Sequence, residues 1–252
     1  MPKIAHSFRV EAIVLRHNDW GEADRLLVLY TREAGKVRAI AKGVRKLRSR
    51  KAGHLEPFTR ATLQLARGRD LLIVTQAETV DAYMPLREDL QRTGLASYIV
   101  ELVDRFTYEE GENPALYHLL SETMARLSTA ADYFLAVRYY EIRLLDLLGF
   151  RPQLLTCVSC GAEIKAEDQY FSAELGGAVC PRCGARVAER RPVTKDALRV
   201  LRHYQRSDYA EAARLVTSES TRTEVENLIQ YYLTYLLERA LNTPEFMRQV
   251  KQ

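Results

Sequence analysis

The chain has 252 residues, 47% of them apolar and 28% charged, and a formal net charge of +4. That length exceeds an ordinary domain of about 100–150 residues, and the composition supplies ample core, which excludes a disordered or low-complexity protein. No run of about 18 apolar residues occurs, and the start Met1-Pro2-Lys3-Ile4-Ala5-His6 lacks the apolar segment of a secretory signal, so a soluble cytoplasmic protein is expected.

The charge is unevenly spread. Residues 1–80 hold 16 Lys/Arg against 8 Asp/Glu, and residues 81–252 hold 21 against 25. Periodicity sets the same N-terminal third apart. Phe8–Arg16, Arg25–Thr31, Gly35–Lys42, Arg60–Ala66 and Leu71–Glu78 are short runs rich in Val, Ile, Leu and Thr, separated by turn residues such as Gly21, Gly43, Gly53, Pro57 and Gly68. Five short strands in about 75 residues predict a small closed barrel, with an OB-fold as the leading candidate. Along the third run, Val37, Ala39 and Ala41 point inward, while Lys36, Arg38, Ile40 and Lys42 point outward and are expected to show cations to solvent.

The following loop adds Arg45, Lys46, Arg48, Arg50 and Lys51, so that residues 35–69 carry eleven cations against one anion, Glu56. Such a block repels itself unless an anionic partner neutralises it. A solvated loop is the bland account. A groove tracking a phosphate backbone is the sharper one, because loop and strand cations form one continuous stretch. Contact with about five phosphates of a single strand costs about two decades of affinity between 50 and 200 mM salt. Among the aromatics, Phe8 and Tyr30 alternate with aliphatics and read as core, whereas Trp20, in a turn, is a candidate either for stacking on a base or for anchoring its loop.

From about residue 86 the period becomes helical. Leu95, Tyr98, Ile99, Leu102, Val103 and Phe106 recur at three- and four-residue steps. Asn113-Pro114 opens a second helix as cap and first helical residue, and a third runs from about Asp132 to Leu148 and stops at Gly149. These three are expected to form an antiparallel bundle. Thr194–Tyr204, Tyr209–Val216 and a long helix from Thr221 to about Leu241 follow, the last opening on a capping box of Thr221 with Glu224 and packing on that bundle.

Between the helical stretches, Cys157-Val158-Ser159-Cys160-Gly161 and Cys180-Pro181-Arg182-Cys183-Gly184 are the only cysteine-bearing segments, 19 residues apart. Each turn can aim two thiolates at one point, and Tyr170–Leu175 with Gly176-Gly177 is long enough for a hairpin that returns the second pair to the first. Four thiolates close a tetrahedral shell, so Cys157, Cys160, Cys180 and Cys183 are expected to hold one structural Zn²⁺ per chain. A redox dithiol wants a thioredoxin-like context and disulfides want a secreted chain. The organisation expected is a multidomain α and β protein. Residues 1–80 form an OB-fold nucleic-acid-binding domain, 81–152 the first part of a mainly α-helical domain, 153–190 an inserted four-cysteine zinc module, and 191–252 the second helical part.

The pattern resembles the RecO family of bacterial recombination mediators. The resemblance rests on Ala12-Ile13-Val14-Leu15-Arg16, Gly21-Glu22-Ala23-Asp24-Arg25, Tyr30-Thr31-Arg32-Glu33-Ala34-Gly35-Lys36-Val37, Ala41-Lys42-Gly43-Val44-Arg45, Leu55-Glu56-Pro57-Phe58 and Leu144–Pro152. Many members lack the four cysteines, so the zinc assignment stands on spacing. The resemblance implies binding of single- and double-stranded DNA and annealing of complementary strands without ATP. It further implies work with RecR, contact with the C-terminal tail of the single-strand-binding protein, and assistance to loading of RecA in the nucleoid. It places the DNA surface on the barrel, with Lys36, Arg38, Lys42, Arg45, Lys46, Arg48, Arg50 and Lys51 as the residues expected to carry it.

Two other classes compete. An enzyme is disfavoured because no phosphate loop, His-Glu-x-x-His or Gly-x-Ser-x-Gly occurs, the five histidines are scattered, and Glu109-Glu110 with Glu112 reads as a solvated loop. A zinc-ribbon regulatory protein or RNA-binding module would need a charged ribbon. Here Lys165, Arg182, Arg186, Arg190 and Arg191 are balanced by Glu163, Glu167, Asp168, Glu174 and Glu189.

Overall fold

The computed structural model describes residues 7–109 and 111–237, which divide into two compact units between Ala130 and Ala131. In the first, β1 (Ser7–Trp20), β2 (Asp24–Thr31), β3 (Gly35–Ala41), β4 (Arg60–Arg67) and β5 (Leu72–Asp81) close a barrel in the order β1-β2-β3-β5-β4. β1 pairs antiparallel with both β2 and β4, for example Ile13 with Tyr30 and Val10 with Leu63. A short parallel contact, Ala39 with Leu72 and Ile40 with Ile73, completes the ring. Strand alternation fills it as predicted. Val10, Ala12, Val14, Leu27, Leu29, Val37, Ala39, Leu63 and Leu65 form the interior. β1 runs past the predicted Arg16 to Trp20 because the pairing shifts between Val14 and Arg16, and this irregularity lets the strand bend without breaking.

The barrel also has a buried outer side. Ile13, Leu15, Val28 and Tyr30 point away from the interior yet are nearly inaccessible. α2 (Leu90–Phe106) packs on β1, and α1 (Pro85–Glu88) and α3 (Pro114–Thr129) pack with α2. Polar ties accompany this covering. The Tyr117 hydroxyl donates to Glu11 Oε1 at 3.0 Å, and Arg60 Nη1 donates to Ser121 Oγ at 3.1 Å. Asn113 caps α3 by accepting from the Leu116 N–H, with Pro114 next, as the sequence predicts.

In the second unit α4 (Phe134–Leu147) packs on α6 (Lys195–Arg206) and α8 (Glu219–Leu236), with the short α7 (Tyr209–Ala212) alongside. The expectation of one bundle from the first three long helices is therefore corrected. α2 and α3 serve the barrel, and α4 serves the second unit. An apolar stripe records that a helix is covered and does not record by what. Between α4 and α6 is inserted the cysteine module, with β6 (Gln169–Ser172), β7 (Gly177–Val179), the turn α5 (Pro181–Gly184) and β8 (Arg191–Val193) in a sheet of order β7-β6-β8.

The capping box is also corrected. Ser218 caps α8 by accepting from the Thr221 N–H, and Glu224 instead accepts from the backbone N–H and the hydroxyl of Thr194, both at 2.6 Å. The predicted C-terminal part of that helix, beyond residue 237, lies outside the described residues. No described helix is long and apolar enough to cross a membrane.

Candidate functional site

The cations of β3 point outward, as the alternation requires, but Lys36 is largely covered there and the half-exposed Arg38 is ion-paired. Lys36 Nζ donates to the Asp104 carbonyl at 2.5 Å and to its Oδ1 at 3.2 Å, leaving the side chain 13% exposed. Arg38 Nε sits 2.5 Å from Glu109 Oε1. Arg16 donates to Asp104 Oδ2 at 2.8 Å, and the backbones of Lys36 and Glu109 form an isolated parallel bridge. The end of α2 and the segment after it thus lie along the strand. Burial pushes the Asp104 carboxyl up, but the Arg16 hydrogen bond and the charges of Arg16 and Lys36 outweigh it and hold the group below its usual value. The expected bare cationic face is corrected at Lys36. The acidic partners are about 70 residues away in sequence, where charge patterning along one strand cannot register them.

The loop after β3 is fixed at both ends. The Gly43 N–H donates to Asp24 Oδ1 at 2.7 Å, the Arg45 N–H donates to the Ala23 carbonyl at 2.9 Å, and Val44 is buried in the barrel interior. Arg45 pairs with Asp19 at 3.3 Å and also donates to the Glu22 carbonyl. At the far end Lys51 Nζ donates to the Val74 carbonyl at 3.0 Å, and burial lowers its pKa. Lys42, just before the first anchor, and Lys46, Arg48 and Arg50, between the two, are exposed and have no ion-pair partner among the described residues.

The eight sequence-predicted cations therefore divide into two sets. Lys36 and Arg38 tie the barrel to the segment at the end of α2, Arg45 and Lys51 tie the loop to the barrel, and Lys42, Lys46, Arg48 and Arg50 are presented by that anchored loop. Trp20, 51% exposed, ends the strand whose hairpin binds Gly43 and Arg45, so an aromatic face stands at the same end of the barrel as the loop. Phe8 packs partly against the interior and Tyr30 is buried, both in line with core roles.

In the second unit the four cysteine Sγ atoms lie within 4.8 Å of one another. A tetrahedral Zn–S shell of about 2.3 Å places sulfurs about 3.8 Å apart, and Cys160 and Cys180 are already at 3.9 Å. The Cys180 N–H donates to Cys157 Sγ at 3.3 Å, and Arg182 Nη2 lies 3.8 Å from Cys160 Sγ, so the surroundings favour negative sulfur at Cys157 and Cys160. A hydrogen bond from the Ala162 N–H, then the other cysteines and Arg182, bring the Cys160 thiol down to about 6. Cys160 and Cys180 in turn push the Cys183 thiol up to about 11. The four cysteines fit one metal ion, and among the described residues they are the only cluster of three or more such ligands.

The two trailing glycines serve different ends. Gly161, at φ +73°, donates to the Cys157 carbonyl at 2.8 Å and needs the left-handed region. Gly184 has no such backbone, but a Cβ there would lie 2.3 Å from Tyr170 Cδ2.

Residues 5–83 match the family described as Recombination protein O N terminal, and residues 87–245 match Recombination protein O C terminal. Among similar proteins, the DNA repair protein RecO of Roseiflexus sp. (strain RS-1) is 43% identical over 245 residues, covering 97% of this chain and 86% of that one. The DNA repair protein RecO of Pelotomaculum thermopropionicum is 39% identical, covering 97% and 95%. That of Dehalococcoides mccartyi (strain ATCC BAA-2266 / KCTC 15142 / 195) is 36% identical, covering 93% and 92%.

Proposed function

Because the chain belongs to the RecO family of DNA repair proteins, we propose that it acts as a recombination mediator that binds single- and double-stranded DNA and anneals complementary strands without ATP. In this reading it works with RecR and with the tail of the single-strand-binding protein to assist RecA loading, and its role rests on binding, without bond-breaking chemistry. The observation that carries the DNA-binding part is the set Lys42, Lys46, Arg48 and Arg50, exposed together on a loop whose two ends are tied to the barrel.

Two complementary strands repel each other, and a protein that brings them together has to neutralise phosphates while leaving bases free to pair. Cations on long side chains, held by a fixed loop backbone, meet that need without an energy source. Lys36, Arg38, Arg45 and Lys51 contribute by keeping the loop and strand in place and by adding to the positive field. The four cysteines hold one structural Zn²⁺. Closing the shell with four thiolates leaves no position for water activation, so the metal orders the module and takes no chemical part.

Annealing of two complementary oligonucleotides, followed by fluorescence energy transfer in the absence of nucleotide, tests this reading. Acceleration over the protein-free rate that fades as salt rises is expected. Annealing that starts only on ATP addition contradicts it.

A further inference from the structure

The outer face of α6 carries a charge pattern that the barrel does not explain. Lys195, Arg199 and Arg206 are exposed and Arg202 is half-exposed. They stand at steps of four, three and four residues, so all four fall on one line along the helix, spread over about 16 Å at 1.5 Å per residue. The opposite face, Ala197, Leu198, Val200, Leu201 and Tyr204, is buried. Lys165, from the stretch between the two cysteine pairs, joins the line, and together they border a shallow cavity of about 420 Å³ whose only carboxylate is Asp196. Asp196 meets Arg199 at 3.8 Å with both side chains more than half exposed, a contact that neutralises little.

Arg202 is held in place from behind. Its Nε and Nη2 donate to the Leu154 carbonyl at 2.9 and 2.6 Å, which fixes the guanidinium while Nη1 has no partner among the described residues. Burial and then Arg206 lower the Arg202 pKa while Glu163 opposes them, and Asp168 accepts from the Lys195 N–H at 3.0 Å, so cations outnumber carboxylates along this face; such an excess is stabilised by an anionic ligand.

From this geometry we propose that the outer face of α6, with Lys165, is a second contact site for the phosphodiester backbone of DNA. The inference rests on the DNA-binding reading above and extends it to the second unit. The ligand is a repeating polyanion and not an acidic, apolar peptide, because the cavity offers no apolar anchor. Leu198 is 1% exposed, and besides Asp196 the only other non-cationic side chains lining the cavity are Ala166 and the half-buried His203. A line of about 16 Å spans about five nucleotide steps of rise along a duplex axis, at about 3.4 Å each. A backbone-only contact of this kind adds affinity without sequence preference.

The test uses the full chain carrying Lys195→Glu, Arg199→Glu and Arg206→Glu, with Arg202 kept for its structural bonds. A parallel chain carries Lys42, Lys46, Arg48 and Arg50 changed to Glu. Binding of a labelled duplex is measured by anisotropy across a salt series. The α6 variant is expected to lose roughly tenfold or more in affinity at about 100 mM salt, with the salt slope reduced by about 2–3, at unchanged zinc content and melting temperature. If it does not fold, the Gln versions of the same three positions are expected to reduce the slope in the same direction. Unchanged affinity and slope in a folded α6 variant, beside a loss in the loop variant, overturn this inference alone, and no loss in either overturns the DNA-binding reading as well. Loss of binding to a labelled oligo-aspartate peptide with DNA binding intact would assign the face to a protein partner and also overturn it.

Discussion

Arg38 Nε sits 2.5 Å from the Glu109 carboxylate, so a cation of the barrel's β3 is neutralised by a segment that follows α2. Both side chains are about half exposed, and a phosphate can compete for the arginine. Glu109→Gln removes the competitor. DNA affinity is expected to rise severalfold at low salt, with the salt slope steeper by about one. Anisotropy titrations at four salt concentrations check this, and an unchanged slope means that Arg38 does not reach DNA.

Asp104 joins Arg16 and Lys36, and the joint effect holds its carboxyl below the usual value. A depressed folded-state pKa contributes stability that is fully present above the unfolded value near 4 and is lost as pH falls through the folded value. Asp104→Asn should therefore cost about 1–3 kcal/mol at pH 7, with the difference from the parent shrinking below about pH 4. Urea melts of both chains at several pH values give the difference directly, and comparing the two cancels the acid sensitivity of the thiolates.

Gly184 and Gly161 occupy the same place in their cysteine turns, yet their substitutions should differ. Gly161→Ala keeps the space around it and strains only the backbone, about 1–2 kcal/mol. Gly184→Ala drives a methyl into the Tyr170 ring and must displace β6 or the second cysteine turn. Competition with a chromogenic chelator is expected to show weaker zinc retention for Gly184→Ala than for Gly161→Ala, and equal retention contradicts the packing argument.

Chelation itself should act on stability before any other property. Removing the ion leaves four thiols crowded within 4.8 Å, and a strong chelator is expected to lower the melting temperature of the second unit. Calorimetry with and without chelator checks it. A melt unchanged by complete metal removal contradicts a structural role.

Much of this is legible in the sequence because the signals are local. Period-two runs locate the five strands, Asn113-Pro114 locates a helix start, and the cysteine spacing locates a four-cysteine cluster that can hold a metal. What escapes depends on partners distant along the chain. Glu224 stands three residues after Thr221, as a capping box requires, but Thr194, 30 residues earlier, takes both of its oxygens. The same limit hides Asp104 and Glu109 from a reading of Lys36 and Arg38. The α6 line is carried by its spacing, but a count of charge by domain averages it away, and only the helix face brings it out.

The proposed DNA contact is centred on the anchored loop. Charge neutralisation of Lys42, Lys46, Arg48 and Arg50 to Gln, none of which bonds to the barrel, leaves its fixed ends intact. Single-strand affinity measured between 50 and 200 mM salt is predicted to fall, with the slope of log K against log salt reduced by roughly 3, at about 0.7 per phosphate contact. The same slope and affinity as the parent would contradict the assignment of this loop as the DNA contact.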